Sequence, residues 1–181
     1  DRSGGSLAVG YSDGAVRVWD MATGAQRVAF NGHKGAVSAL SFNEDGTVLA
    51  SGSRDTDVVL WDMVAERGLF RLRGHKDEVT SIRFLDAKSL VSTSKDTLVK
   101  VWDLDTQSCV QTCVGHRAEV WACDVSPDGS RLVTGAADNQ VRLWRILPRA
   151  APGAAVAPAG GGGMDVEEDE ESQGAGAGRL A

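Results

Sequence analysis

Three sets of residues in this chain have the composition of a hydrolase triad: His33 with Ser51 and Asp55, His75 with Ser92 and Asp96, and, with threonine as the hydroxyl, His116 with Thr134 and Asp138. An acid that orients an imidazole base beside a hydroxyl is the arrangement that makes Ser or Thr a nucleophile. A hydrolase needs one such site and an oxyanion hole to go with it. Here there are three sets, and each keeps a fixed distance to a tryptophan, Trp61, Trp102 or Trp144. That repetition favours a structural chain of hydrogen bonds, from indole N–H through hydroxyl and imidazole to carboxylate. We therefore expect no catalytic site, no cofactor and no small-molecule substrate.

Two further groups invite a chemical reading. Cys109, Cys113 and Cys123 raise the question of a metal. Cys109 and Cys113 lie four apart on an expected strand, about 13 Å along it, too far for one zinc ion or a disulfide, so no metal site is expected. Arg71, Arg73 and Lys76 in FRLRGHK form a small basic cluster, weak candidates for contacts to RNA phosphates. Charges on an outer strand more often keep an edge soluble and unpaired, and that reading is preferred.

The elements that must position these residues are legible as a repeat. Trp19-Asp20, Trp61-Asp62, Trp102-Asp103 and Trp144-Arg145 are spaced by 42, 41 and 42 residues, and Gly32-His33, Gly74-His75 and Gly115-His116 by 42 and 41. Six residues before each of these Trp stands an Asp: Asp13, Asp55, Asp96 and Asp138. A period of 40 to 45 with these marks is the signature of an all-β WD40 β-propeller, four strands to a blade. Short runs rich in Val, Ile, Leu and Phe, with Asp-Gly at 45–46 and 128–129 for tight turns, agree with it. The units read as a partial blade over 6–31 without its innermost strand, blades over 32–73 and 74–114, and a fourth over 115–147 without an outer strand. The expectation is an incomplete arc of about four blades. The first unit has Val9 in place of the hydroxyl and no preceding Gly-His, so its hydrogen-bond chain should be weak or missing.

Beyond 147 the composition changes. Residues 1–149 hold 18 Lys+Arg against 19 Asp+Glu, whereas 150–181 hold one Arg against six acids, so the formal charge of −6 belongs mostly to the tail. The segment 148–181 is rich in Ala, Gly and Pro, with EEDEE at 167–171, and is expected to be a disordered acidic linker. No apolar run approaches the roughly 20 residues of a membrane helix, and no signal peptide is read at the start. An odd number of cysteines then favours reduced thiols.

Several stretches resemble one family in positions that a generic repeat does not require: LAVGYSDGAVRVWD (7–20), FNGHKGAV (30–37), LASGSRDTDVVLWDMVAERGLFRLRGHKDEVT (49–80) and SKDTLVKVWDLDTQSCVQTCVGHRAEVW (94–121). They are similar to the first propeller of the WD-repeat protein 3 family, nucleolar proteins of the small-subunit processome. The resemblance implies a non-catalytic scaffold of the UTP-B subcomplex in 18S rRNA maturation. Its expected partners are other WD40 propeller proteins of a pre-ribosomal complex and, through that complex, U3 small nucleolar RNA and precursor rRNA; no membrane is involved. A second reading is another WD40 adaptor, such as a signalling scaffold or ubiquitin-ligase substrate receptor. The Arg that ligase receptors carry two positions after Trp-Asp is missing from WDMA, WDMV and WDLD. Partner contacts on such propellers gather where the repeat places Ser38, Thr80 and Trp121; Ala36, Glu78 and Glu119; and Ser12, Arg54, Lys95 and Ala137. Trp121 is the fifth tryptophan, outside the repeating four, and should stand half exposed at the rim.

Overall fold

The structure is a computed structural model that describes residues 1, 3–146 and 166–169. Its strands form four antiparallel sheets, each built from consecutive strands. The first has three: β1 (Ser6–Gly10), β2 (Ala15–Asp20) and β3 (Gln26–Asn31). The second has β4 (Val37–Phe42), β5 (Val48–Ser53), β6 (Val58–Asp62) and β7 (Arg67–Leu72). The third has β8 (Val79–Phe84), β9 (Ser89–Ser94), β10 (Leu98–Asp103) and β11 (Ser108–Val114). The fourth has β12 (Val120–Val125), β13 (Arg131–Ala136), β14 (Val141–Ile146) and β15 (Val166–Asp169).

Packing of sheet on sheet explains why the inner strands are apolar on both faces. Along β6, Val58 and Leu60 join Ala50 and Leu72 against Val79, Ile82, Leu90 and Trp102 of the third sheet. The alternate residues Val59, Trp61 and Met63 turn the other way, onto Val16, Val18 and Phe30 of the first. Side chains alternate across a strand, so a sheet covered on both sides needs a continuous apolar run rather than alternation. The third and fourth sheets meet through Val91, Val99 and Cys113 against Val120, Cys123, Leu132 and Trp144. Each such side chain, fully buried, contributes roughly 1.5–3 kcal/mol. The sheets approach closely: a Cβ on Gly52 would lie 2.5 Å from Val79 Cγ1 and 2.9 Å from Ile82 Cδ1.

Repetition also shows where the stack ends. Val99 is 0% exposed, whereas Val141, its equivalent on the fourth sheet, is 75% exposed. On the first sheet Leu7 and Met21 are exposed where their equivalents Leu49 and Met63 are buried. Among the described residues, then, both outward faces of the stack are open and apolar.

The Asp of each Trp-Asp pair builds the turn to the outer strand. One carboxylate oxygen of Asp20 accepts the amides of Ala22 and Thr23, that of Asp62 those of Val64 and Ala65, and that of Asp103 those of Asp105 and Thr106. The fourth unit has Arg145 at that position. Its outer strand was expected to be missing; instead β15 pairs antiparallel with β14, Val166 facing Ile146 and Asp169 facing Leu143. The unpaired edge of β14 is the physical reason, since its amides and carbonyls accept any extended segment within reach. The rest of 147–181, where the acidic linker was expected, lies outside the described residues.

Candidate functional site

The three triad-like sets are assembled as hydrogen-bond chains. In the second sheet, Trp61 Nε1–H donates to Ser51 Oγ at 2.8 Å, Ser51 Oγ lies 2.7 Å from His33 Nε2, and His33 Nδ1 lies 3.1 Å from both Asp55 oxygens. The third sheet repeats this with Trp102, Ser92, His75 and Asp96 at 2.7, 2.8 and 2.8 Å. The fourth uses Trp144, Thr134, His116 and Asp138 at 2.8, 2.7 and 3.1 Å. With Nδ1–H donating to the carboxylate, Nε2 is the acceptor and the hydroxyl donates to it while accepting from the indole. Ser51 and Ser92 are 0% exposed, so no substrate carbonyl has a path to either oxygen. The letters Gly-x-Ser-x-Gly do occur, at 10–14, but there they form the hairpin between β1 and β2 rather than a strand-to-helix elbow.

The Gly of Gly-His belongs to the same device. A Cβ on Gly32 would lie 2.8 Å from Trp61 Cη2, and one on Gly74 3.2 Å from Trp102 Cη2; only glycine lets the indole lie flat over the chain. The acid also accepts backbone amides, those of Lys34 and Asp57 for Asp55 and of Lys76 and Leu98 for Asp96. Burial alone would raise these carboxyls. The hydrogen bonds outweigh it, holding Asp55 and Asp138 below the ordinary carboxylate range and Asp96 down to about 2. Burial lowers the pKa of His33 despite Asp55, so its imidazole stays neutral.

At the rim the structure separates residues that the repeat had grouped. Ser38, Thr80 and Trp121 each sit at a β-bulge of the innermost strand, where the register slips by one residue. Ser38 Oγ donates to Val79 O at 2.5 Å, and Thr80 Oγ1 to Val120 O at 2.5 Å. Both hydroxyls thus tie one sheet to the next, with Ser38 exposed and Thr80 half-buried. Trp121 carries no hydroxyl for that tie and is 49% exposed. Lys95 Nζ lies 5.0 Å over its ring centroid, and the same ammonium meets Glu78 Oε2 at 2.8 Å. Arg54 Nε reaches that oxygen at 3.3 Å. Glu78 is thereby held below its usual range, first by the Lys95 hydrogen bond, and Lys95 is raised in return. Glu119 adds its field to Lys95, and Ala137 N–H donates to Glu119 O at 2.8 Å. Arg54, Glu78, Lys95, Glu119 and Trp121 therefore form one contiguous patch of near-balanced charge around a single exposed aromatic.

Within the basic cluster, Arg71 is engaged inside the fold, whereas Arg73 and Lys76 are exposed. Arg71 Nη1 meets Asp57 Oδ2 at 2.6 Å and Asp55 Oδ2 at 3.7 Å, and its Nη2 donates to Gly32 O. Arg73 lies past the end of β7 and reaches Asp57 at 3.8 Å. Lys76 is exposed, and its backbone amide donates to Asp96. The signal that could have shown the pairing of Arg71 was Asp57, two residues past the loop Asp and across the ladder from the outer strand. Cys113 packs between the third and fourth sheets while Cys109 lies among Lys100 and Thr112 on the other face, so the two thiols do not meet.

Sequence comparison agrees with this geometry. The family described as the WDR3 first β-propeller domain matches residues 1–146. The U3 small nucleolar RNA-associated protein 12 of Saccharomyces cerevisiae is 49% identical over 41 residues, 23% of this chain and 4% of that protein. The protein hir1 of Aspergillus terreus is 73% identical over 26 residues, 14% of this chain and 3% of that protein. HIR1 of Kluyveromyces lactis is 57% identical over 28 residues, 16% and 3% of the two chains. Each match spans a single repeat or less and a small fraction of the relative's length.

Proposed function

The chain belongs to the WDR3 first β-propeller family, and from that premise we propose that it is a non-catalytic interaction scaffold in small ribosomal subunit biogenesis. Its partners are other WD40 propeller proteins of a pre-ribosomal complex, with U3 small nucleolar RNA and precursor rRNA held through that complex, and its place is the nucleolus. The observation that carries the scaffold reading is the sealing of all three triad-like sets. Their hydroxyls are buried and saturated by indole and imidazole, which removes nucleophiles and leaves surfaces. The likeness to a protein named for U3 RNA association supports the pathway.

The gripping surface is the patch of Arg54, Glu78, Lys95, Glu119 and Trp121. A large aromatic at the centre of a polar rim is the pattern of an interface anchor. The test is affinity purification of the full-length protein. Co-purification of U3 RNA with other propeller proteins of the complex is expected, and recovery of ubiquitin-ligase adaptors without U3 RNA would overturn the reading.

A further inference from the structure

The geometry points to a peroxide-triggered covalent link between Lys100 Nζ and Cys109 Sγ, joining strands β10 and β11 of the third sheet. Two independent observations meet here. The first is a buried cation without a counter-charge. Lys100 is 9% exposed, and its ammonium donates to Thr112 Oγ1 at 2.9 Å and toward Cys109 Sγ at 4.0 Å. No carboxylate lies within ion-pair distance of it among the described residues. The repeat explains the deficit. In the second sheet the cation at this point is Arg71, facing Val59, and Asp57 neutralises it. In the third sheet the cation has moved across the ladder to Lys100, facing Thr112, while Leu98 occupies the place of Asp57. The ammonium is thus left with a hydroxyl and a thiol as partners in place of a carboxylate.

The second observation is a register shift that brings the thiol to it. Regular pairing after Val101 and Gln111 would set Trp102 opposite Val110 and Cys109 opposite Asp103. A β-bulge sets Trp102 opposite Cys109 instead, which turns the thiol onto the face that Lys100 and Trp102 share. Its sulfur lies 3.2 Å from Gln111 O and 3.6 Å from Thr112 Oγ1. Cys109 is exposed, whereas Cys113 and Cys123 are buried. Burial raises both of the latter thiols, Cys113 to about 11, and keeps them protonated.

The oxidant is hydrogen peroxide. In the first step Cys109 Sγ attacks one peroxide oxygen: an S–O bond forms, the O–O bond breaks, one water leaves, and the sulfur becomes a sulfenic acid. Sulfenic acids condense with a nearby nitrogen to a sulfenamide. In the second step Lys100 Nζ, its proton released to solvent, attacks the sulfur: the S–N bond forms, the S–O bond breaks and a second water leaves. One peroxide is reduced and the sulfur loses two electrons.

Mass spectrometry of the full chain after brief peroxide treatment tests this. Expected are a mass loss of two hydrogens, a proteolytic fragment pair joined through Lys100 and Cys109, and restoration of both by dithiothreitol. Lys100→Arg keeps the charge but offers no primary amine, and should give oxygen addition at Cys109 without the link. Oxygen addition at Cys109 in the unaltered chain with Lys100 still cleavable would overturn the proposal. So would an unreactive Cys109, or a disulfide between two chains in place of the link.

Discussion

At the scale of single residues, a shared hydroxyl is the joint on which each tie depends. Ser92→Ala leaves the Trp102 indole and the His75 Nε2 without a partner in a dry site, and each unsatisfied group costs about 1–3 kcal/mol. A drop in melting temperature is therefore expected, whereas Ser92→Thr, the arrangement already present at Thr134, should be nearly neutral. The ties also fix the response to acid. His33 is kept neutral by burial, so below its ordinary 6.5 the unfolded chain takes up a proton that the native chain refuses, and stability falls. Asp55, Asp96 and Asp138 add stability that is present above 3.8 and is lost as pH falls toward their folded values, about 2 for Asp96. Thermal melts should decline steadily on acidification from neutrality, and Asp96→Asn should flatten the lowest part of the curve. A melting temperature that rises on going from about pH 7 to about pH 5 would contradict this assignment.

At the scale of elements, turns and bulges carry the information that side-chain patterns do not. Thr56 and Thr97 follow the loop Asp with φ of 74° and 73°, while the same place holds Gly14 and Asn139 in the first and fourth sheets. A β-branched residue is strained there, and Thr97→Asn should raise stability by about 0.5–1 kcal/mol in a denaturant titration. The inter-sheet tie predicts the opposite sign at Thr80. Thr80→Val keeps the shape, strips the donor from Val120 O, and should cost about 1 kcal/mol. Strand order and the Trp-hydroxyl-His-Asp chains were legible in the spacing of Trp-Asp and Gly-His. The bulge at Ser38, Thr80 and Trp121 was missed, although it stretches the spacing of inward residues from two to three, as in Val79 and Ile82 or Val120 and Cys123. The pairing of Arg71 was hidden because Asp57 is fourteen residues away and becomes a neighbour only across the ladder. The outer strand β15 was hidden by composition, since four residues that borrow a sheet edge need no apolar run of their own.

At the scale of the whole molecule, the described residues form a set of covered junctions between two uncovered faces. Val99→Asp places a charge between the third and fourth sheets and should unfold the chain, while Val141→Asp at the equivalent exposed position should leave the melting temperature almost unchanged. The repeat assigns four tryptophans a place in it. Trp61, Trp102 and Trp144 are buried in their ties, and Trp19, whose sheet has no histidine in the chain, is half-buried on β2. Trp121 stands apart at a slot where two hydroxyls join neighbouring sheets, and its ring faces solvent under Lys95. We propose that this patch grips a partner protein, while the buried ties hold the fold. The most direct measurement combines Trp121→Ala in the full-length protein with affinity purification, quantified U3 RNA recovery and a thermal melt. U3 recovery is expected to fall at least tenfold, a loss of about 1.4 kcal/mol or more in binding, with the melting temperature unchanged. Full recovery of U3 RNA, or a melting temperature that falls as far as it does for Ser92→Ala, would contradict it.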